Sequence, residues 1–307
     1  MSLLVIGTVA FDDIETPFGR AEKIVGGAGT YIAWAASYFV DEIRMVSVIG
    51  EDFPEEELLA LQQRGVDTTG IQVIPGGKSF FWAGRYHHNL NARDTLVTDL
   101  NVLADFDPVL PLSFRQSEFV MLGNLTPSVQ QRVIDQLHDH PKVLALDTMN
   151  YWMNNALEEL LEVLTQIDLL IINDEEARQL SGEYSLMKAS EVIQTLGPKY
   201  LVIKKGEHGA LLFGEDQVFF APALPLTEVQ DPTGAGDTFA GGLMGFLASR
   251  NKINFEVLKQ AIVCGSAMAS FCVEKFGTEA LKQISPEMLQ ERLDRFSELV
   301  QFESPVL

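Results

Sequence analysis

A run of small residues opens the last long helical region of this chain, and a carboxylate stands inside it. Residues 231–242 read Asp-Pro-Thr-Gly-Ala-Gly-Asp-Thr-Phe-Ala-Gly-Gly. Gly234, Ala235 and Gly236 predict a turn whose bare backbone N–H groups form an anion site at a helix N-terminus. Asp237 would repel that anion, and this placement makes chemical sense if Asp237 takes a proton from a hydroxyl that attacks the anion. Without further support, the same pattern is typical of an ordinary helix start with an acidic first turn.

The sequence before this segment alternates strand-like and helical stretches. The β-rich runs are 2–8, 44–50, 119–123, 142–146, 169–172 and 200–204. This rhythm predicts an α/β fold with a doubly wound, mainly parallel sheet flanked by helices. Ligands of such sheets bind at the carboxyl ends of the strands, so we expect the polar residues that follow the strands to converge there: Asp12, Asn124, Asp147, Asn173 and Lys204.

Residues 70–101 interrupt the α/β rhythm. The segments 72–74, 79–86 and 95–98 alternate in polarity and are typical of antiparallel strands with one wet face. Together with residues 10–20 they predict a small inserted sheet, a lid, on a single domain spanning 1–307. Its aromatic residues suit either stacking on a base or sugar or packing against the domain. Its wet edge also predicts a homodimer contact.

Charge and cysteine content narrow the possible partners. The 22 basic and 43 acidic residues leave a net charge of −21, which argues against nucleic acid or an anionic membrane as a partner. With only Cys264 and Cys272, the chain has no disulfide framework, and a reducing cytoplasm is the expected location. The N-terminal residues predict a first strand rather than a signal peptide, and the longest uncharged apolar run, 261–273, is too short to span a bilayer.

Three motifs, in this order along the chain, resemble those of the PfkB, or ribokinase-like, carbohydrate kinases. Gly26-Gly27-Ala28-Gly29 before an alanine-rich helix resembles the first signature of that family. Asn173-Asp-Glu-Glu176 resembles its N-x-x-E motif, and residues 231–239 resemble its C-terminal signature. The resemblance spans nearly the whole chain, including the insertion. It implies a ribokinase-like fold and a sugar kinase, a phosphotransferase that uses ATP to phosphorylate a hydroxymethyl group of a sugar or sugar derivative.

The resemblance also implies a role for individual residues around the phosphoryl group. Asp237 would be the general base, and the amides of Gly234, Ala235 and Gly236 would form the anion hole. Glu176 would organise Mg²⁺, through water. The residues implied to bind the nucleotide are Asn173, Lys204, Gly206, Gly209 and Thr233.

At the acceptor end, the implied substrate-binding residues are Asp12, Gly26, Gly27, Tyr31 and Asn124. Asp231, with Thr233, matches positions that hold a monovalent cation, often K⁺, in several members. Each of three residues also fits a purely structural role: Asp12 as a residue of a solvated loop, Asn173 as a helix cap, and Lys204 as a charge that protects an edge strand.

The chain departs from the ribokinase pattern in two places. Tyr31 stands where ribokinase has a sugar-binding asparagine, which argues against plain D-ribose. The region of Cys272, Lys275 and Gly277 follows the cation site only loosely and leaves K⁺ open. A nucleoside kinase of the adenosine type is therefore the alternative. A catalytically idle nucleotide- or sugar-sensing module is less favoured because Asp237 and Glu176 are both present.

Overall fold

The computed structural model describes residues 1–250 and 252–301. Within them, one large sheet has the strand order β13-β12-β11-β10-β9-β8-β1-β4-β5. Its strands are β1 (Ser2–Ile6), β4 (Glu42–Gly50), β5 (Val66–Ile74), β8 (Phe119–Leu122), β9 (Val143–Asp147), β10 (Leu169–Asn173), β11 (Tyr200–Lys204), β12 (Ala210–Gly214) and β13 (Gln217–Ala221). The neighbours from β11 to β5 are parallel, and β12 and β13 continue the sheet as antiparallel strands. The predicted α/β fold with a mainly parallel sheet is confirmed.

Helices cover both faces of this sheet. They are α1 (Ala28–Ala36), α2 (Glu55–Gln63), α3 (Pro127–Ile134), α4 (Asn150–Asn155), α5 (Leu157–Leu164), α6 (Asp174–Ser181), α7 (Leu186–Gln194), α8 (Ala235–Ala248), α9 (Phe255–Cys272) and α10 (Pro286–Val300). Leu3 and Val5 of β1 enter the core beneath α1, α8 and α9, while Leu4 and Ile6 enter the core beneath α3 and α5. Central strands are therefore buried on both faces, which is why they are continuously apolar.

A second, four-stranded sheet stands apart from the large one, in the order β3-β2-β6-β7. Its strands are β2 (Ala10–Thr16), β3 (Gly19–Gly26), β6 (Phe80–Tyr86) and β7 (Arg93–Asp99). We call it the small sheet. The assignment of residues 72–74 to it was wrong, because they belong to β5 at the edge of the large sheet. At this sheet edge Gln72 is half-buried and Val73 and Ile74 are exposed, so the segment has the solvent contact that a hairpin strand also has. The antiparallel pairing expected for segments 79–86 and 95–98 is confirmed by β6 and β7, and β2 joins the sheet parallel to β6.

Glycines bring α1 and α8 into backbone contact. A Cβ on Gly241 would stand 2.4 Å from the carbonyl oxygen of Ile32, and one on Gly245 would stand 2.7 Å from Cα of Ala36. Close backbone packing therefore accounts for glycines in the interior of α8, where they would otherwise cost helix stability. We call this contact the α1–α8 seam.

Helix α9 is the one helix among the described residues that is long and apolar enough to cross a membrane. The 18-residue window is longer than the uncharged run considered above because it includes Glu256 and Lys259. However, 67% of it is buried inside the protein, and it packs against α8 and β12 as a core helix does.

Candidate active site

The turn at the start of α8 has the geometry of an anion site. Gly234 is the N-cap residue and adopts the left-handed conformation, with φ 73°, which glycine tolerates best. The amide of Ala235 donates to the carbonyl of Pro232 at 3.2 Å, so the turn itself already uses it. The amides of Gly234 and Gly236 have no backbone acceptor within the described residues. Two of the three amides predicted for the anion hole are therefore free to meet a phosphoryl oxygen.

Lys204 places a positive charge against this turn. Its Nζ lies 3.1 Å from the position that a Cβ on Gly236 would occupy, and 3.3 Å from Oδ2 of Asp147. Asp147 and Lys204 end two strands of the sheet, β9 and β11, with β10 between them. Of the adjacent lysines at 204 and 205, the structure thus places the first beside the turn. Asp147 was among the expected strand-end residues, but its pairing with Lys204 was not predicted.

Asn173 and Glu176 form a reciprocal cap at the start of α6. Oδ1 of Asn173 accepts from the amide of Glu176 at 2.8 Å, and Oε2 of Glu176 accepts from the amide of Asn173 at 2.7 Å. Such a capping box satisfies two amides of the helix start and fixes the glutamate rotamer. Glu176 is only 6% exposed, so it is not a solvated surface charge. The capping alternative for Asn173 is correct, and the cap orients Glu176.

Asp237 and Glu176 are less acidic than free carboxyl groups. Burial, followed by the charge of Asp147, raises the pKa of each to about 7, against the opposing effect of Lys204. Burial alone would lower the pKa of Lys204, but the carboxylates around it more than offset this and raise the pKa. The lysine is therefore charged at neutral pH, while Asp237 titrates where a general base works best.

The same cluster suits a magnesium ion. Mg²⁺ keeps several waters and uses one or two protein carboxylates together with substrate phosphates. Asp147 and Glu176 supply such carboxylates around Lys204, which lies against the anion turn, and the charge of Asp147 raises the pKa of Glu176. Bound there, the ion would neutralise charge on the phosphates of a nucleotide.

A cavity of about 460 Å³ opens beside the turn. Its polar end is formed by Lys204, Gly206, Gly209 and Gly236, as expected for the nucleotide site. The remaining wall is mainly apolar and includes Leu224, Leu226, Val229, Phe239 and Val273. A cavity with charge at one end and an apolar body fits a nucleotide with its phosphates at the turn.

At the opposite end of the cleft, Asp12 lies against Gly26. A Cβ at position 26 would stand 1.9 Å from Oδ2 of Asp12, so only glycine leaves room for the carboxylate. Asp12 is 4% exposed, which excludes the alternative of a solvated loop. Gly27, with φ 93°, is the N-cap residue of α1. Thr8, which sequence reasoning missed, holds this helix start through its Oγ1, which accepts from the amide of Ala28 at 2.9 Å.

Tyr31 and Asn124 are placed differently from the expectation. Tyr31 is 1% exposed, and its ring lies 2.4 Å from the position of a Cβ on Gly234. It therefore supports the anion turn from below and does not line the cleft. Asn124 lies two residues after the end of β8. Its Oδ1 accepts from Nε1 of Trp152 at 2.8 Å, and its Nδ2 contacts Sδ of Met149. Both polar atoms of its amide are thus engaged within the protein.

Asp231 is fully buried beneath the turn. Its Oδ1 accepts from the amide of Thr233 at 2.8 Å, and its Oδ2 faces the amide of Gly277 at 3.4 Å. The Sγ of Cys272 lies 3.5 Å from the carbonyl oxygen of Thr233. The region around residues 272–277, which follows the family pattern only loosely, is thereby adjacent to Asp231.

The buried state of Asp12 makes stability depend on pH. Burial, then the charges of Asp231, Asp237 and Asp13, raise the pKa of Asp12 from 3.8 to about 8. Between these values the native state binds more protons than the unfolded chain, so the free energy of unfolding falls as pH rises. We expect the melting temperature of the unliganded protein to be lower at about pH 8.5 than at about pH 6, and Asp12→Asn to flatten this slope.

Asp13→Asn provides the comparison, since Asp13 is the neighbouring residue and its Oδ1 accepts from the amide of Lys23. Its charge makes the smallest contribution to the raised pKa of Asp12, so this variant should flatten the slope much less than Asp12→Asn. Calorimetry across the pH range gives the melting temperature of the unmodified protein and of both variants. An unchanged slope in Asp12→Asn would show that Asp12 does not titrate in this range.

Comparison with known proteins agrees with this geometry. The family described as pfkB family carbohydrate kinase matches residues 4–284. The chain is 28% identical to a cytidine kinase of Thermococcus kodakarensis over 285 residues, 90% of this chain and 98% of that protein. It is 25% identical to a nucleoside kinase of Methanothermobacter thermautotrophicus, covering 90% and 91% of the two chains.

Among solved structures, a putative ribokinase II of E. coli in complex with ATP and Mg²⁺ superposes with a TM-score of 0.76. The two sequences are 18% identical, and the match covers 97% of this chain and 99% of that one. This likeness shows the fold, a large mostly parallel sheet with a smaller separate sheet.

Proposed function

We propose, from the premise that this chain belongs to the pfkB family of carbohydrate kinases, that its phosphoryl acceptor is the hydroxymethyl group of a ribonucleoside. Membership makes the chain an ATP-dependent kinase of a sugar or nucleoside. One observation carries the site assignment: the charge of Lys204 lies against the turn that holds the free amides, and Asp237, whose pKa is raised, follows directly in the same turn.

In the proposed mechanism, the acceptor lies between Asp12 and Asp237. Asp237 takes the proton from the hydroxymethyl oxygen as that oxygen bonds to the γ-phosphorus and the bridging oxygen of ATP departs. The amides of Gly234 and Gly236, together with Lys204, hold the charge of the transferring group without reorganisation. Glu176 and Asp147 would hold the magnesium ion, which would neutralise charge on the phosphates.

The choice of a nucleoside over a free sugar rests on the face of the small sheet that carries Asp12. Asp12 in β2 and Trp82 in β6 are register partners, so their side chains project from the same face. The indole lies across Gly84, where a Cβ would stand 2.1 Å from the ring. A ribosyl group held at Asp12 would therefore carry its base next to an aromatic ring. The cytidine and nucleoside kinases among the relatives favour the same class.

The second ligand that we propose is a monovalent cation, such as K⁺, bound at Asp231. The carboxylate is fully buried, and burial raises its pKa. Residues 1–250 and 252–301 contribute no basic side chain within 4.0 Å of it. A buried carboxylate without a countercharge suits a cation, and one bound there would sit beneath Thr233 and the anion turn.

A panel of acceptors tests the proposal directly. With ATP as donor and ADP release as the readout, we expect cytidine, uridine or adenosine to give a kcat/KM at least about 10-fold above that of D-ribose, because base stacking adds ~1–3 kcal/mol. A preference for D-ribose would contradict the acceptor class. Absence of ADP release with every sugar and nucleoside would contradict the kinase assignment.

Trp82→Ala locates the base within the same experiment. This variant should raise the KM for the preferred nucleoside by about 10-fold and leave the kinetics with D-ribose unchanged, since stacking contributes only to base binding. Trp82→Phe keeps an aromatic face and should recover most of the loss.

A further inference from the structure

The loop between β6 and β7 forms part of the wall of the cavity that fits a nucleotide, which we call the donor cavity. Three consecutive residues of this loop, 89–91, line it. Oδ1 of Asn91 lies 3.0 Å from the position that a Cβ on Gly206 would occupy, so the loop reaches the polar end of the cavity. At the base of the loop, Oγ1 of Thr233 donates to the hydroxyl of Tyr86 at 3.1 Å. The small sheet therefore closes one side of the donor cavity.

Hydrogen bonds within the loop determine its shape. The amide of His87 donates to the carbonyl of Ala92, and the amide of Leu90 donates to the carbonyl of His87, both at 2.9 Å. Oδ1 of Asn89 accepts from the amides of Asn91 and Ala92, each at 3.2 Å. These bonds place Leu90 at the tip, half-buried and in the left-handed conformation with φ 54°. None of them involves the leucine side chain, which is therefore not needed to form the loop.

Leucine is an unusual residue for this conformation. Its Cβ comes close to the following carbonyl oxygen, so such positions normally hold glycine, asparagine or aspartate. Five non-glycine residues of the described chain have a positive φ, namely Lys23, Leu90, Asn101, Glu215 and Asp216. Leu90 is the only apolar residue among them. A side chain that strains its own backbone at the wall of a cavity points to a function in that cavity.

We propose that Leu90 packs on the ribose and base of the donor nucleotide and is a specificity-determining residue of the donor site. The inference rests on the proposed function, which places the nucleotide in this cavity with its phosphates at the turn. An apolar side chain gains free energy by covering the less polar parts of a nucleotide, and it gains none at the phosphates. Leu224 and Phe239 supply apolar wall from the large-sheet side. The nucleotide thus contacts apolar side chains of both the small sheet and the main body of the protein.

Leu90→Asn tests this contact. Asparagine tolerates the left-handed conformation, so the melting temperature of the unliganded protein should be unchanged or higher. The variant loses apolar surface against the nucleotide. Because Leu90 is already half-buried, only part of its side chain remains to be covered, and we expect the KM for ATP and the Kd for ADP to rise by about 5-fold. The kcat and the KM for the acceptor should stay within about 2-fold.

Inorganic tripolyphosphate identifies the part of the nucleotide that Leu90 touches. It carries the phosphates without ribose or base, so its Kd, measured by the same calorimetry as that of ADP, should be the same in Leu90→Asn and in the unmodified protein. Leu90→Met keeps an apolar side chain of similar volume, and its Kd for ADP should stay within about 2-fold.

His88→Asn is the matched control. His88 lies in the same loop, is exposed and is not part of the cavity wall, so the same replacement should leave the Kd for ADP unchanged. The proposal is overturned if Leu90→Asn binds ADP normally, whether or not its melting temperature falls, or if it loses affinity equally for ADP and tripolyphosphate. ADP binding is measured without an acceptor. A chain that binds ADP but phosphorylates no sugar or nucleoside would therefore contradict the proposed function and leave the contact of Leu90 to be decided by the ADP titration.

Discussion

Replacing Asp237 with asparagine should lower kcat by ~10²- to 10⁴-fold, the usual contribution of a general base. Asparagine is nearly the same size and can stay in the first turn of α8, but it cannot accept the proton of the acceptor hydroxyl. Affinity for ATP should remain within a few fold, because the amides of Gly234 and Gly236 and the charge of Lys204 are untouched. Steady-state kinetics and nucleotide titration together separate these two effects.

The same substitution should leave the protein at least as stable as before. Burial and the charge of Asp147 raise the pKa of Asp237, so the charged form is unfavourable in the folded state at neutral pH. A neutral amide removes that penalty, and the melting temperature should stay equal or rise. Loss of activity with no loss of stability is characteristic of a functional carboxylate.

Asp174→Asn is the control for an acidic residue in a first helical turn. Asp174 opens α6 close to the site, but it pairs with Arg178 on a more open face. Near-normal kcat is expected for it. Near-normal kcat in Asp237→Asn would instead remove Asp237 from the role of base.

Lys204→Met should affect both activity and stability. It removes the positive charge beside Gly236, and losing a charge-assisted bond to phosphate costs ~1.5–3 kcal/mol, so we expect kcat/KM for ATP to fall by about 10²-fold. It also leaves Asp147 buried without its ion pair. Breaking a buried pair destabilises by ~3–5 kcal/mol, but proton uptake by Asp147 limits the loss, and we expect about 2 kcal/mol at neutral pH.

Two further variants separate these contributions. Lys204→Met combined with Asp147→Asn removes the uncompensated charge, so stability should recover in urea unfolding while activity stays low. Lys205→Met is the control, since Lys205 follows directly in the chain and forms no ion pair within the described residues. An equal loss of activity in Lys205→Met would show that the assignment to Lys204 is wrong.

The sequence predicts best those parts of the site that are contiguous in the chain. The glycine turn with Asp237 spans a few consecutive residues, and so does the capping box of Asn173 and Glu176. The local backbone alone therefore brings the functional groups of each motif together. Asp12 and Gly26 are further apart, but they lie on neighbouring strands of one hairpin, Asp12 near the start of β2 and Gly26 at the end of β3. The fold class follows for a similar reason, because alternating strands and helices leave few ways to build a sheet.

Contacts between distant segments leave no such signal. Lys204 and Asp147 are 57 positions apart, and nothing in the spacing pairs them. Tyr31 was expected to face the substrate, but whether a residue on α1 points to the cleft or beneath the turn depends on how α8 packs against it. The contact of Tyr86 with Thr233 spans 147 positions and depends on where the small sheet rests. The edge strand β5 was misassigned because its polarity reports exposure rather than the sheet to which it belongs.

The α1–α8 seam has a consequence for how proteins of this architecture diversify. The helix that starts at the acceptor-side glycines and the helix that starts at the phosphate turn meet through backbone atoms, with the ring of Tyr31 wedged under Gly234. The distance between the proposed acceptor site and the phosphate turn is therefore set by the main chain, and ordinary side-chain exchange should leave it unchanged. New acceptors can be accommodated by changes on the inner face of the small sheet, around Trp82, while the alignment for phosphoryl transfer is inherited intact.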